Sequence, residues 1–145
     1  MKKQLTNSTK PNSLLPVIEK RIRELFGERV LKIILYGSYA RGDYNEESDI
    51  DIMVIVDDEN LEPYKKKRTE LTTYYLDKEN ILLSIIIEKA SIAERYKNHS
   101  PFLINVNNEG IVLYGWSDNR TGKVPERESW RGAESGKIFV WKGHY

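Results

Sequence analysis

Three short and almost uninterrupted hydrophobic runs constrain the fold of this chain more than any other feature. They are LKIILY at residues 31–36, IDIMVIV at residues 50–56 and ILLSIII at residues 81–87. Runs of this length are short for buried helices, and their β-branched residues are typical of strands that are covered on both faces. The three runs therefore predict the interior of a small β-sheet.

Helical patterns precede and separate these runs. Leu14, Ile18 and Ile22 recur at helical spacing, with Ser13 placed to cap the helix and Gly27 placed to end it. Residues 61–76 have a looser helical spacing of apolar side chains, with a basic run inside it. We expect both helices to pack against the sheet.

Two further helices and a strand are predicted after residue 90. Ser91 and Glu94 have the spacing of a capping box and predict a short helix to about residue 98. Ser100 and Pro101 have the residue types of a helix cap and first position, and this helix should end near Gly110. Residues 111–113 predict a closing strand. The fold class is α/β (α+β), a small mixed sheet with helices packed against it.

The length of 145 residues fits one domain. We expect a flexible N-terminal segment at residues 1–12, a domain at residues 13–115 and a tail or appendage at residues 116–145. Composition changes at the last boundary, because the final segment holds four of the nine glycines and all three tryptophans. Few aliphatic residues remain there to build a core.

Composition also excludes several classes of function. The chain has 23 Lys and Arg against 22 Asp and Glu, so no strong overall field favours nucleic acid or a membrane surface. It has no cysteine and only two histidines, which excludes zinc sites made of those residues. No apolar stretch is long enough for a membrane span or a signal peptide. We expect a cytoplasmic protein.

The polar segment between the first two predicted strands contains the candidate functional residues. Its sequence, GSYARGDYNEESDID, begins with Gly37 and Ser38, where small residues let backbone amides approach a phosphate. It ends with Asp49 and Asp51, whose side chains point the same way because they alternate along a strand. Paired carboxylates of this kind suit Mg²⁺ that also binds the phosphates of a nucleotide.

At these residues the chain resembles the nucleotidyltransferase superfamily that includes DNA polymerase beta, and most closely its minimal nucleotidyltransferases. The resemblance implies that Gly37 and Ser38 bind a nucleoside triphosphate such as ATP. It also implies that Asp49 and Asp51 are the catalytic residues that bind one or two Mg²⁺ ions. Arg41 is a candidate for neutralising triphosphate charge, although it could instead pair with Asp43. The resemblance spans about residues 14–115, with further matches at Ser100, Pro101, Phe102, Glu109, Gly110, Leu113 and Tyr114.

One position departs from the pattern of active members of that superfamily. They usually carry a third carboxylate on the next strand, where this chain has ILLSIII. Ser84 is expected to face the two aspartates, and a serine hydroxyl supplies neither a negative charge nor a base near pH 7. We therefore expect this chain to lack the third carboxylate of the active members.

Two functions from different classes follow from the resemblance. The first is an enzyme that transfers a nucleoside monophosphate, AMP from ATP, to a hydroxyl of a protein or small molecule. The second is a weak or inactive binding module that acts as an antitoxin to a HEPN-type toxin. Antibiotic-modifying and polymerase activities rank last, because the chain is too short for the additional domains that they use.

Overall fold

The computed structural model describes residues 4–115, with side chains from Ser13 onward. Helix α1 spans Gln4–Phe26 and strand β1 spans Val30–Tyr36. The one-turn helix α2, Ser38–Arg41, leads through a loop to β2, Ile50–Val56. Helix α3, Glu62–Tyr74, continues into a π-helical turn, Tyr75–Glu79. Strand β3, helices α4 and α5, and strand β4 follow at Leu83–Lys89, Ala90–Tyr96, Pro101–Glu109 and Ile111–Tyr114.

The four strands form one mixed sheet in the order β3-β2-β1-β4. Strand β1 is antiparallel to both β2 and β4, whereas β2 and β3 are parallel. Because β1 and β2 are the two inner strands, both carry nearly continuous hydrophobic sequence, as the patterns predicted. The mixed α/β class and the existence of four strands are thereby confirmed, whereas β3 lies at an edge of the sheet and not in the predicted interior.

Helices cover the two faces of the sheet unequally. One face packs against α1 and α3 and forms the larger hydrophobic cluster, which includes Ile22, Ile33, Ile52 and Leu71. The other face has a small cluster of four buried residues, Ile34, Met53, Leu103 and Val106. We call these the packed face and the open face. Side chains alternate along a strand, so odd-numbered β2 residues such as Met53 lie on the open face.

Several helix ends match their sequence signals. The Ser100 hydroxyl accepts a hydrogen bond from the Leu103 N–H at 3.2 Å, which confirms the predicted cap of α5. Gly27 follows α1 with a φ of 94°, and its N–H donates to the Arg23 carbonyl at 3.0 Å. A left-handed glycine at this place is a common way to end a helix.

Three predicted element starts are wrong. Helix α1 begins at Gln4, so Ser13 lies within it and does not cap it. A serine cap contributes only about 1 kcal/mol, which is too little to stop a helix that propagates favourably. Ser91 lies inside α4 and donates its hydroxyl hydrogen bond to Glu59 at 3.0 Å, so the capping box does not form. Strand β3 begins at Leu83, two positions after Ile81.

Residues 1–3 and 116–145, which include the predicted tail, lie outside the described residues. The division of the chain near residues 12 and 115 stays a prediction. Within the part of the chain that the structure describes, no helix is both long enough and apolar enough to span a membrane.

Candidate active site

The glycine bend and the acidic strand meet at one end of the sheet. Tyr36, the last residue of β1, pairs with Asp51 near the start of β2. Gly37 follows with a φ of 78°, a left-handed conformation that favours glycine. A Cβ added to Gly37 would collide with the Asp51 carboxylate. The predicted meeting of the bend and the acids is therefore observed, and it depends on the absence of a side chain at residue 37.

The two carboxylates are close enough to interact. Burial raises the pKa of Asp51 above its ordinary value, the negative charge of Asp49 raises it further, and the positive charge of Arg41 lowers it. Asp49 is exposed just before β2, whereas Asp51 is half-buried. Like charges held together favour protonation or the binding of a cation. The chemistry of this donor pair therefore fits a divalent metal ion.

Arg41 has two acidic partners beside the site. Its guanidinium donates to Asp43 at 3.2 Å and to Glu109, at the end of α5, also at 3.2 Å. The pairing with Asp43 was one of two roles considered from the sequence, and the geometry supports it. The contact with Glu109 was not foreseen, because no local pattern relates residues on α2 and α5. A role for Arg41 in nucleotide binding stays a prediction.

Ser84 occupies the place next to the acids on the third strand. Residue 51 of β2 pairs directly with residue 84 of parallel β3. The register therefore confirms that Ser84, half-buried on the open face, is the neighbour of Asp51. Between Ser13 and Gly115, no group of three or more His, Cys, Asp or Glu side chains is placed to hold a metal. Asp49 and Asp51 therefore form a pair, without a third acidic side chain placed to bind a metal with them in the described part of the chain.

Aromatic and apolar side chains flank the acids. Tyr36 packs edge-on against Phe102, with ring centroids 5.4 Å apart. Burial and the charge of Asp51 raise the pKa of Tyr36 to about 12, so its phenol stays protonated at neutral pH. On the β3 side, Leu82 is half-exposed, a feature that sequence reasoning missed because the hydrophobic run predicted it to be buried.

The open face also has unfilled space. A cleft of about 200 Å³ lies farther along β2, where Met53 and Ile55 face α4 and α5. Lys97 lines this cleft and pairs with Glu94 at 3.0 Å. The face that carries the acids is therefore less completely packed than the face that carries α1 and α3.

Comparison with known proteins places the chain in a family. The family model for the nucleotidyltransferase domain matches residues 15–114. The chain is 34% identical over 100 residues to a presumed protein adenylyltransferase of Methanocaldococcus jannaschii, covering 69% of this chain and 95% of the relative. It is 42% identical over 105 residues to a second protein of that organism with the same assigned activity, covering 66% and 97%.

Solved structures share the fold. A presumed nucleotidyltransferase from Sulfolobus solfataricus aligns with a TM-score of 0.51 at 15% identity, covering 86% of this chain and 96% of that one. A toxin–antitoxin structure with AMP-PNP aligns with a TM-score of 0.50 at 19% identity, covering 90% and 87%. At these identities the likeness extends to the fold alone.

Proposed function

Because the chain belongs to the nucleotidyltransferase domain family, we propose that it transfers AMP from ATP to a hydroxyl group of a protein and releases pyrophosphate. One observation carries the proposal: Gly37 lies against the Asp51 carboxylate, with Asp49 and Arg41 close enough to affect its pKa. The relatives named for protein adenylyltransferase activity support AMP as the transferred group and a protein as the acceptor.

Asp49 and Asp51 would hold Mg²⁺, which supplies charge neutralisation at the phosphates when it is bound. In the proposed reaction the phosphate oxygens lie at the bend of Gly37 and Ser38, where the lack of a side chain at residue 37 lets the backbone approach the Asp51 carboxylate closely. Arg41 adds a positive charge at the same end of the sheet. Positioning and charge neutralisation make up most of the catalysis of phosphoryl transfer, so a small and shallow site suffices.

The serine at residue 84 indicates which kind of hydroxyl group accepts the AMP. The side chain next to Asp51 on β3 is a hydroxyl, which cannot take a proton from the acceptor near neutral pH. A tyrosine phenol, with a pKa of about 10, loses its proton far more readily than an aliphatic hydroxyl. We therefore propose tyrosine as the acceptor. Its oxygen forms a bond to the α-phosphorus, the bond from that phosphorus to the bridging oxygen breaks, and the phenol proton passes to solvent.

A transfer assay tests the proposal. The protein is incubated with Mg²⁺, ATP labelled at the α-phosphate and candidate acceptor proteins, beginning with a HEPN-type toxin. We expect label on a tyrosine of the acceptor, lost when Asp49 and Asp51 are both changed to alanine. An Asp57→Asn variant, changed at the far end of β2, serves as the control. Absence of labelling, or labelling that the double variant retains, would contradict the proposal.

A second candidate function is neutralisation of a toxin by binding alone, without transfer. Ser84 favours it, because the described side chains offer no third carboxylate at the site. Toxin neutralisation by the double aspartate variant decides between the two functions: it persists if binding suffices and disappears if transfer is required. Either function would operate in the cytoplasm, where ATP is available.

A further inference from the structure

A leucine beside the acidic pair is exposed in a place where the strand pattern would bury it. Leu82 is 50% exposed, and because single exposed leucines are common, its position beside the acids is the informative feature. Its carbonyl accepts a hydrogen bond from the Ile50 N–H at 2.9 Å, so it lies next to the start of β2. Burial alternates from Ile81 to Ile87, with Leu82 and Ser84 on the less buried side. Leu82 therefore flanks Asp49 and Asp51 on the open face.

The order of the strands indicates the side from which the acceptor of AMP approaches the site, which is the β3 side. In the proposed reaction the leaving pyrophosphate lies at the bend after β1, and the acids lie on β2. The attacking oxygen and the leaving oxygen lie roughly in line at the phosphorus. With strands about 4.8 Å apart, an acceptor that approaches opposite the bend lies over β3. Ser84 and Leu82 are the residues it meets there.

The chemistry of this side indicates the kind of acceptor. An exposed leucine is complementary to an apolar side chain, which gains free energy when both are removed from water. The loop before β2 adds the exposed acids Glu46 and Glu47, so a basic segment would be attracted to it. A polar sugar or a small hydrophilic alcohol would use the acids but leave the leucine exposed.

We propose that Leu82 determines acceptor specificity by contacting an apolar residue beside the tyrosine that receives AMP, within a basic segment of a partner protein. This proposal rests on the proposed function and adds the surface by which the acceptor is chosen. Leu82 contacts the acceptor without taking part in the chemical step. Its replacement should therefore change the KM for the acceptor and leave ATP binding and kcat nearly unchanged.

Two peptides of equal charge test the contact. One has leucines on both sides of a central tyrosine and lysines at its ends; the other has serines in place of the leucines. With Mg²⁺ and labelled ATP, the wild type should have about a tenfold lower KM for the leucine peptide, since tenfold corresponds to about the burial of one side chain. Leu82→Gln should abolish this preference, and Leu82→Met should keep it.

Val17→Gln is the matched control. Val17 is 42% exposed on α1, on the opposite side of the sheet, and its replacement should leave both KM values unchanged. Circular dichroism and ATP calorimetry check that each variant folds and binds nucleotide. A leucine preference that persists in Leu82→Gln, or no preference in the wild type, overturns the role of Leu82 while transfer itself stands. No transfer to either peptide or to any acceptor protein overturns the proposed function as well.

Discussion

The packed face and the open face of the sheet differ in how many hydrophobic side chains they bury, and the acidic pair lies on the face that buries fewer. The packed face is covered by α1 and α3 and holds most of the buried hydrophobic side chains. The open face has a small cluster of four buried residues, an unfilled cleft, and the acidic pair at one end. The proposed site needs uncovered sheet to admit a nucleotide and an acceptor, and the larger hydrophobic core lies on the other face. The predictions below test that difference.

The largest effect is expected at the acidic pair. Asp51→Asn should reduce AMP transfer about a thousandfold, because a neutral amide neither holds the cation nor offsets phosphate charge. Without metal it should raise the thermal midpoint at neutral pH, since burial and Asp49 already disfavour the charged form of Asp51. Scanning calorimetry and the labelled-ATP assay measure the two effects. A thermal midpoint that falls would contradict the electrostatic account.

The next effect compares neighbouring core residues on the two faces. Ile52 and Met53 are both fully buried, but Ile52 faces the larger cluster and Met53 lines the cleft. Ile52→Ala should lower the free energy of unfolding by about 4 kcal/mol and Met53→Ala by about 2 kcal/mol, because the cleft leaves Met53 fewer packing partners to lose. Urea denaturation measures both. Equal losses would show that the faces contribute alike.

A smaller effect is expected from adding a side chain at the bend. Two alanine variants distinguish the backbone strain that this causes from its collision with a neighbouring side chain. Gly37 and Gly42 both have positive φ angles, of 78° and 88°. An added Cβ meets the Asp51 carboxylate at Gly37 and nothing within 4 Å at Gly42. Each alanine variant should lose about 1 kcal/mol of stability from strain. Only Gly37→Ala should also lower transfer, by about a hundredfold, as Asp51 is displaced. Equal activities of the two variants would exclude the collision as a determinant.

A gain is expected from restoring a carboxylate on β3. Ser84→Asp places an acid beside Asp51, where it could bind metal or accept the proton of an attacking hydroxyl. Transfer to a serine peptide should rise about tenfold, and transfer to a tyrosine peptide should change less, because a phenol needs less help to ionise. Ser84→Ala is the control. Equal gains on both peptides would argue against the acceptor choice inferred from Ser84.

The smallest effect lies on the packed face. The Tyr64 hydroxyl donates to Asp58 at 2.7 Å, and this hydrogen bond is the main reason that the pKa of Asp58 lies below its ordinary value. A carboxyl with a lowered folded-state pKa adds stability above about pH 4, and this stability is lost as the pH falls further. Tyr64→Phe should weaken that acid dependence without changing transfer. Urea midpoints between pH 2 and 6 measure it.

Much of the fold could be predicted from the sequence, because the hydrophobic pattern within a strand indicates which of its side chains are buried. The runs at β1 and β2 and the cap at Ser100 all coincide with the elements observed. The starts of α1 and α4 did not, because Ser13 and Ser91 are only weak capping signals that a continuing helix overrides. The alternation of Asp49 and Asp51 and the glycine at residue 37 also predicted that the bend and the acids meet at one end of the sheet, whereas their roles in binding and catalysis stay predictions.

The sequence by itself determined which residues form the inner strands and that a small bend precedes a pair of acids. Only the tertiary structure determined which other side chains lie near the bend and the acids. Helix α5 brought Glu109 to Arg41, and the uncovered edge of the sheet exposed Leu82. The physical reason is that hydrophobic periodicity records whether a side chain is buried, whereas its neighbours depend on strand order and register, which join residues distant in the chain.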